Sequence, residues 1–237
     1  MVKERKVYTS FHDIPPREYM YFPKGTLDMG KPGRFSRIET IHLLISILVL
    51  TFAFSLALSG NNIIEGFDLN ILLKYMPISF LGIITAFFVH ELSHKFMAQK
   101  YGLWAEFRMF PKGLLLSLFL AVFTGFVFAA PGAVMFRGET RTHETGRIAA
   151  AGPTANILIA AVTFPLYLYL FESSYIGHIL GFICLINAFL ATFNLLPFGP
   201  LDGVKIIRWN ATVWIILLIA SVSLVMTIFL RFSPVLS

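Results

Sequence analysis

The sequence predicts an all-α polytopic membrane protein with five to six transmembrane helices and a small β-hairpin or re-entrant segment. Of its 237 residues, 57% are hydrophobic and 14% are charged, whereas soluble domains are about half apolar and about one quarter charged. A single soluble core cannot hide this excess, because so few polar residues cannot cover the surface of a domain of this size. The only cysteine, Cys184, can form no internal disulfide. The composition therefore excludes the soluble, disordered and disulfide-rich classes.

Long runs without charged residues supply the predicted helices. A helix that spans the hydrocarbon region needs about 20 residues. The first run begins near residue 40, which predicts a retained membrane anchor rather than a cleaved signal peptide. The charge-free runs are 40–64, 113–136, 148–171, 173–201 and 209–230, and a sixth, 75–89, extends as a span to about residue 97.

The placement of basic residues predicts the orientation in the membrane. Eight of the 19 Lys and Arg residues lie in 1–38, and most others lie close to 95–112, 137–147 and 205–208. Basic residues favour the cytoplasmic side of a membrane. If 113–136 enters the membrane and returns to the same side, only Lys74 and Arg231 lie on the external side. If 113–136 crosses the membrane, six basic residues lie on the external side. We therefore expect five crossings of the cell membrane, a cytoplasmic N-terminus and an external C-terminus. This arrangement indicates a lipid bilayer as partner and argues against nucleic acid.

The chain divides into a polar cytoplasmic arm, residues 1–38, and a membrane domain, residues 39–237. Within the domain, the stretch 126–136 contains Pro131 and Gly132 between Val and Phe residues. Such a dipeptide between β-forming residues predicts a β-hairpin. At membrane depth, a hairpin must be shielded by protein or line a cavity.

His90, Glu91 and His94 form an H-E-x-x-H motif. Residues four apart share one face of a helix, so both imidazoles can hold one zinc ion while Glu91 acts as general base towards a water. Two unrelated histidines and a surface glutamate are the alternative. The motif ends an apolar span, where ionisable groups are costly and usually functional, and this favours the metal site.

Asp202 is the acidic residue best placed to be a third ligand. It follows a long apolar run that Pro197 and Pro200 break, and this break would let the carboxylate turn inward. The alternatives are a helix cap or an ion pair with Lys205 or Arg208.

Two amides, Asn156 and Asn194, lie among apolar neighbours. They either make hydrogen bonds between helices or hold the substrate backbone or a developing oxyanion.

Three motifs, within 90–94, 152–156 and 194–203, together resemble the site-2 protease family of intramembrane zinc metalloproteases. The resemblance implies that His90, His94 and Asp202 bind one zinc ion per chain and that Glu91 is the catalytic acid and base. It also implies that the protein cuts transmembrane segments of other proteins. The implied catalytic core, about 75–208, consists of helices over 75–99, 147–171 and 175–208.

A helical substrate must unwind before its peptide bonds can be attacked, and an exposed strand from 126–136 could hold the unwound segment by strand addition. Two other functions remain open. Intramembrane His, Glu and Asp are also typical of metal-ion or proton transporters, and a catalytically silent scaffold could bind zinc for stability. The H-E-x-x-H spacing with one distant carboxylate favours a single hydrolytic site near the cytoplasmic side. The oligomeric state is not predicted.

Overall fold

The computed structural model describes residues 35–60, 68–127, 131–171 and 174–232, so nearly all of the predicted arm, 1–38, lies outside the described residues. Within these ranges the chain forms eight α-helices and two β-strands. A short π-helical segment, Ile84–Phe88, joins α2 to α3, and a second π-helical segment, Tyr167–Phe171, follows α5. The elements are α1 (Arg37–Ser59), α2 (Leu69–Ile83), α3 (Val89–Lys100), β1 (Trp104–Met109), α4 (Pro111–Thr124), β2 (Gly132–Arg137), α5 (Thr142–Leu166), α6 (Tyr175–Asn194), α7 (Asp202–Trp209) and α8 (Ala211–Phe232).

Five helical segments are long and apolar enough to cross a membrane, which confirms the predicted fold class. The second segment begins before the predicted residue 75, because the Asp68 carboxylate accepts hydrogen bonds from the Asn70 and Ile71 backbone N–H groups and caps the helix. The five segments are Arg37–Ser59, Leu69–Lys100, Thr142–Tyr169, Tyr175–Asn194 and Ala211–Leu230.

The segment between the two strands leaves the sheet and returns to the same end of it. The strands are antiparallel, with Met109 opposite Gly132 and Trp104 opposite Arg137. The intervening helix, α4, has 14 residues, about 21 Å at 1.5 Å per residue, and the hydrocarbon core is about 30 Å thick. This geometry agrees with a re-entrant segment rather than a sixth crossing.

The small sheet differs from the predicted hairpin in its pairing. Residues 128–130 lie outside the described residues, but Gly132 already begins β2, whose partner is β1 rather than a strand in 126–131. Gly132 has φ 147°, and a Cβ there would lie 2.8 Å from the Met109 Cα. The prediction of a turn at this glycine was wrong because the glycine instead permits close approach of two strands that are distant in sequence.

Helix α5 lies at the centre of the protein, packed against α3, α6, α7 and α8. Small buried residues line part of its contact with α6 and α8: Ala160, Cys184 and Ala188 surround Ile228. Small side chains let membrane helices approach closely. This packing brings α3, α5 and the start of α7 together.

Candidate metal centre

The two motif histidines and Asp202 converge on one point. His90 and His94 lie one turn apart on α3, with their Nε2 atoms 3.0 Å apart. The Asp202 Oδ2 atom lies 3.0 Å from the His94 Nε2 and 3.5 Å from the His90 Nε2. All three residues are buried. Among the described residues, this cluster is the group of His, Cys, Asp and Glu that could hold a metal ion.

A sharp break in the chain between α6 and α7 places Asp202 beside the two histidines. Helix α6 ends at Asn194 and α7 begins at Asp202. A Cβ atom at Gly203 would lie 2.6 Å from the Leu196 carbonyl oxygen, so glycine lets α7 start directly against the end of α6. The Trp214 indole N–H donates to the Leu195 carbonyl at 2.7 Å, which satisfies a carbonyl at the end of the helix.

The Asp202 carboxylate also contacts a cation. Its Oδ1 atom accepts a hydrogen bond from the Lys205 Nζ at 3.0 Å, so the predicted ion pair exists alongside the histidine contacts. Burial of the Asp202 carboxyl opposes its ionisation, but the neighbouring His94, the hydrogen bonds from His90 and His94, and Lys205 lower its pKa well below the usual range. The residue is therefore an anion at neutral pH, as a metal ligand must be.

A backbone carbonyl sets the tautomer of His94. Its Nδ1 atom lies 2.8 Å from the Ile148 carbonyl oxygen on α5. A carbonyl can only accept, so the Nδ1 carries a proton, and the Nε2 is the ring atom that faces His90 and Asp202. Hydrogen bonds of this kind fix the orientation of metal-binding histidines.

The donor set fits zinc. Catalytic zinc sites use three protein ligands of the His and carboxylate type, and bonds of about 2.0–2.1 Å in tetrahedral geometry place ligand atoms about 3.3 Å apart. The separations here, 3.0 to 3.5 Å, bracket that value. Gly152 on α5 keeps the site open, because a Cβ there would lie 2.7 Å from the His90 Nε2.

Glu91 lies beside the three ligands. Its Oε2 atom accepts a hydrogen bond from the Val134 backbone N–H of β2 at 2.9 Å. It lines the same cavity as His90, His94 and Asp202, but it does not belong to the donor cluster found in the described residues. Among the described residues, no hydrogen bond is made by its other carboxylate oxygen, Oε1.

The site opens into a cavity of about 480 Å³ with mainly apolar walls. Its apolar lining residues include Leu50, Phe54, Phe87, Val134 and Phe193. The polar lining residues include His90, Glu91, His94 and Asp202. Such a cavity suits an apolar segment that presents one polar bond to the site.

The two predicted amide residues take different positions. Asn194 lines the cavity, where its Nδ2 donates to the Leu190 carbonyl at 3.0 Å. Asn156 is fully buried, and its Nδ2 donates to the Ala86 carbonyl of the π-helical segment between α2 and α3 at 3.2 Å. The structure thus brings Asn194 to the cavity and places Asn156 in a contact between helices. An oxyanion role for either residue stays a prediction.

Sequence reasoning missed several groups that shape the site. The 152–156 motif contains Gly152, but the sequence does not predict that this glycine leaves space beside the two histidines. The sequence predicts Lys205 only as an alternative partner of Asp202. The Ile148 carbonyl and the Val134 N–H are backbone groups, which every residue carries, so residue identities give no signal for them.

Five segments of membrane-spanning length, enclosing a buried His-His-Asp site with a glutamate beside it, define a multi-pass membrane protein with a candidate metal centre whose donor set fits zinc. No family model matches the chain, and no solved structure matches it. Among curated proteins, it is 39% identical over 184 residues to the presumed zinc metalloprotease MJ0611 of Methanocaldococcus jannaschii, covering 77% of this chain and 90% of that protein.

Two further relatives also carry zinc metalloprotease names. The presumed zinc metalloprotease YwhC of Bacillus subtilis is 29% identical over 157 residues, covering 57% of this chain and 70% of that protein. The zinc metalloprotease MJ0392 of Methanocaldococcus jannaschii is 27% identical over 163 residues, covering 68% of this chain and 39% of that protein. The chain therefore belongs to this family of zinc metalloproteases, which confirms the resemblance to the site-2 protease family. Zinc is the cofactor.

Proposed function

We propose that the protein is an intramembrane zinc metalloprotease that hydrolyses peptide bonds within or near transmembrane segments of other membrane proteins. The observation that carries the proposal is the buried cluster of His90, His94 and Asp202, with Glu91 beside it, in an apolar cavity between helices of membrane-spanning length. The metalloprotease names of the relatives support the same reaction class. Regulated intramembrane proteolysis is the process that this activity would serve.

The catalytic roles follow from the positions of the side chains. His90, His94 and Asp202 would hold zinc, which when bound lowers the pKa of a water and polarises a carbonyl. Glu91 takes a proton from the attacking water and passes it to the leaving amine nitrogen. The Val134 N–H binds Glu91 Oε2, which leaves the Oε1 atom available to take the proton.

The edge of β2 that faces away from β1 is the proposed site for an unwound substrate. The Val134 N–H points towards Glu91 rather than β1, and alternate residues of a paired strand direct their backbone groups away from the partner. Gly132 and Phe136 therefore present backbone groups on the same edge as Val134. All three residues line the cavity. A substrate strand added at this edge would lie beside the metal ligands.

Replacing Phe136 with Pro removes one N–H from this edge without touching the Val134 N–H that binds Glu91. We expect Phe136→Pro to lower kcat/KM for peptide cleavage about ten-fold, as expected for a lost backbone hydrogen bond, with zinc content unchanged. The Phe136→Ala variant keeps the N–H and serves as the control for loss of the ring. Cleavage by the proline variant at the rate of the alanine variant would contradict strand addition.

The direct test of the proposed function uses the full chain purified in detergent. Metal analysis should find one zinc ion per chain, and a transmembrane peptide should be cleaved in a reaction that a chelator stops and added zinc restores. An intact peptide together with ion flux in liposomes would instead establish a transporter. Bound zinc with neither activity would establish a scaffold.

The site lies towards one end of the helices, which bears on its location in the cell. His94 precedes Lys100, the last residue of α3, by six residues, or about 9 Å. We propose that this end faces the cytoplasm of a protein of the cell membrane, because the basic residues cluster near it. Water would then reach the metal by a short path. The N-terminus would be cytoplasmic and the C-terminus external.

A further inference from the structure

The buried ion pair between Glu39 and Lys95 has no part in the mechanism described above. Glu39 lies in the first turn of α1, and Lys95 follows His94 on α3. The Lys95 Nζ lies 2.5 Å from the Glu39 Oε2, and the two residues are 1% and 0% exposed. A buried ion pair costs desolvation energy that well-packed apolar side chains would not. Its presence beside a metal ligand calls for a structural or catalytic reason.

The second oxygen of Glu39 holds the sheet. Glu39 Oε1 accepts a hydrogen bond from the Phe107 backbone N–H of β1 at 3.0 Å. Phe107 lies directly opposite Val134 in the register, and the Val134 N–H donates to Glu91. The carboxylates of Glu39 on α1 and Glu91 on α3 therefore bind the two outer edges of the sheet, at the paired residues Phe107 and Val134.

A second hydrogen-bonded contact joins the start of α1 to β1. The Ser36 hydroxyl accepts from the Glu39 N–H at 3.1 Å and donates to the Glu106 Oε2 at 3.0 Å. A two-stranded sheet is only marginally stable by itself, so its position depends on such anchors. Glu39 supplies the anchor on the edge opposite to Glu91.

We propose that Glu39 is a positioning residue for the general base. By holding the Phe107 N–H, Glu39 fixes β1, the paired β2 and the Val134 N–H, and so the carboxylate of Glu91. Lys95 offsets the buried charge of Glu39 and ties the anchor to α3, which carries the base. This inference rests on the proposed function of Glu91 in peptide hydrolysis.

Two double variants separate the hydrogen bond from the ion pair. Glu39→Gln with Lys95→Met and Glu39→Leu with Lys95→Met both remove the buried charges, but only glutamine keeps an oxygen for the Phe107 N–H. We expect the leucine variant to show a kcat at least about ten-fold below that of the glutamine variant, because small displacements of a catalytic group are costly. KM and zinc content should be the same in both.

Hydrogen exchange supplies a readout that does not depend on cleavage. In the full chain in detergent, we expect faster amide exchange in peptides covering β1 and β2 in the leucine variant than in the glutamine variant. Equal exchange, or equal kcat in the two variants while the wild type cleaves, would overturn the positioning role alone. A wild type that cleaves no transmembrane peptide would overturn the proposed function, and the positioning role with it.

Discussion

The Glu91→Gln variant should lose peptide cleavage by about 1,000-fold in kcat while retaining its zinc. Glutamine keeps the side-chain oxygen that accepts the Val134 N–H at 2.9 Å, so the sheet and the side chain should stay in place. An amide cannot take up the proton of an attacking water, and general acid–base groups contribute about 10² to 10⁴ in rate. The three metal ligands are untouched. Single-turnover cleavage of a transmembrane peptide, together with metal analysis of the same sample, measures both quantities.

The matched control is Glu139→Gln, the same chemical change in an exposed residue between β2 and α5. It should leave cleavage and zinc content as in the wild type. If Glu91→Gln kept more than about a tenth of the wild-type kcat, Glu91 would not be the general base. If it lost zinc, Glu91 would be part of the metal site rather than its neighbour.

The Asp202→Ala variant should lose the metal and, with it, all cleavage. Removing the carboxylate leaves two imidazoles, one donor short of the three that a catalytic zinc site uses. It also removes the anion that lies 3.0 Å from the His94 Nε2. Loss of an outer hydrogen-bond partner alone weakens metal binding by about 10- to 100-fold, so we expect loss of a direct ligand to weaken it at least about 100-fold. Zinc retained after dialysis against a competing chelator measures the change.

Asp68→Ala provides the comparison for Asp202→Ala. Asp68 also stands at the start of a helix, where it caps α2 through the Asn70 and Ile71 N–H groups. Its loss should lower stability by about 1 kcal/mol without releasing zinc. Zinc binding by Asp202→Ala as tight as in the wild type would refute the role of Asp202 as a ligand.

The helical part of the fold could be predicted because hydrophobic length is a local property of the sequence. The pairing of β1 with β2 could not, because strand partners are chosen by contacts between distant segments. Gly132 shows the difficulty. Its neighbour Pro131 makes a local turn the natural interpretation, whereas the glycine serves a contact with Met109 across the sheet. The start of α2 was also missed, since Lys74 interrupts the apolar run that the helix continues through.

Part of the candidate site could also be predicted from the sequence, and part could not. The spacing of His90 and His94 predicts a shared helix face directly, and the break before Asp202 predicts that its carboxylate can turn inward. The structure brings these three side chains together. The groups that orient them, such as the Ile148 carbonyl, belong to the backbone and depend on how α5 packs against α3. Only the packed structure discloses them.

The three residues proposed to bind the metal are widely separated along the chain, and this has a consequence for biosynthesis. Both histidines lie on α3, whereas Asp202 belongs to α7, which follows α4, α5 and α6. A nascent chain emerging from the ribosome therefore carries only two of the three donors until most of its helices have been made. Stable metallation must await translation of α7, so an arrested or truncated product that ends before it would lack a complete centre.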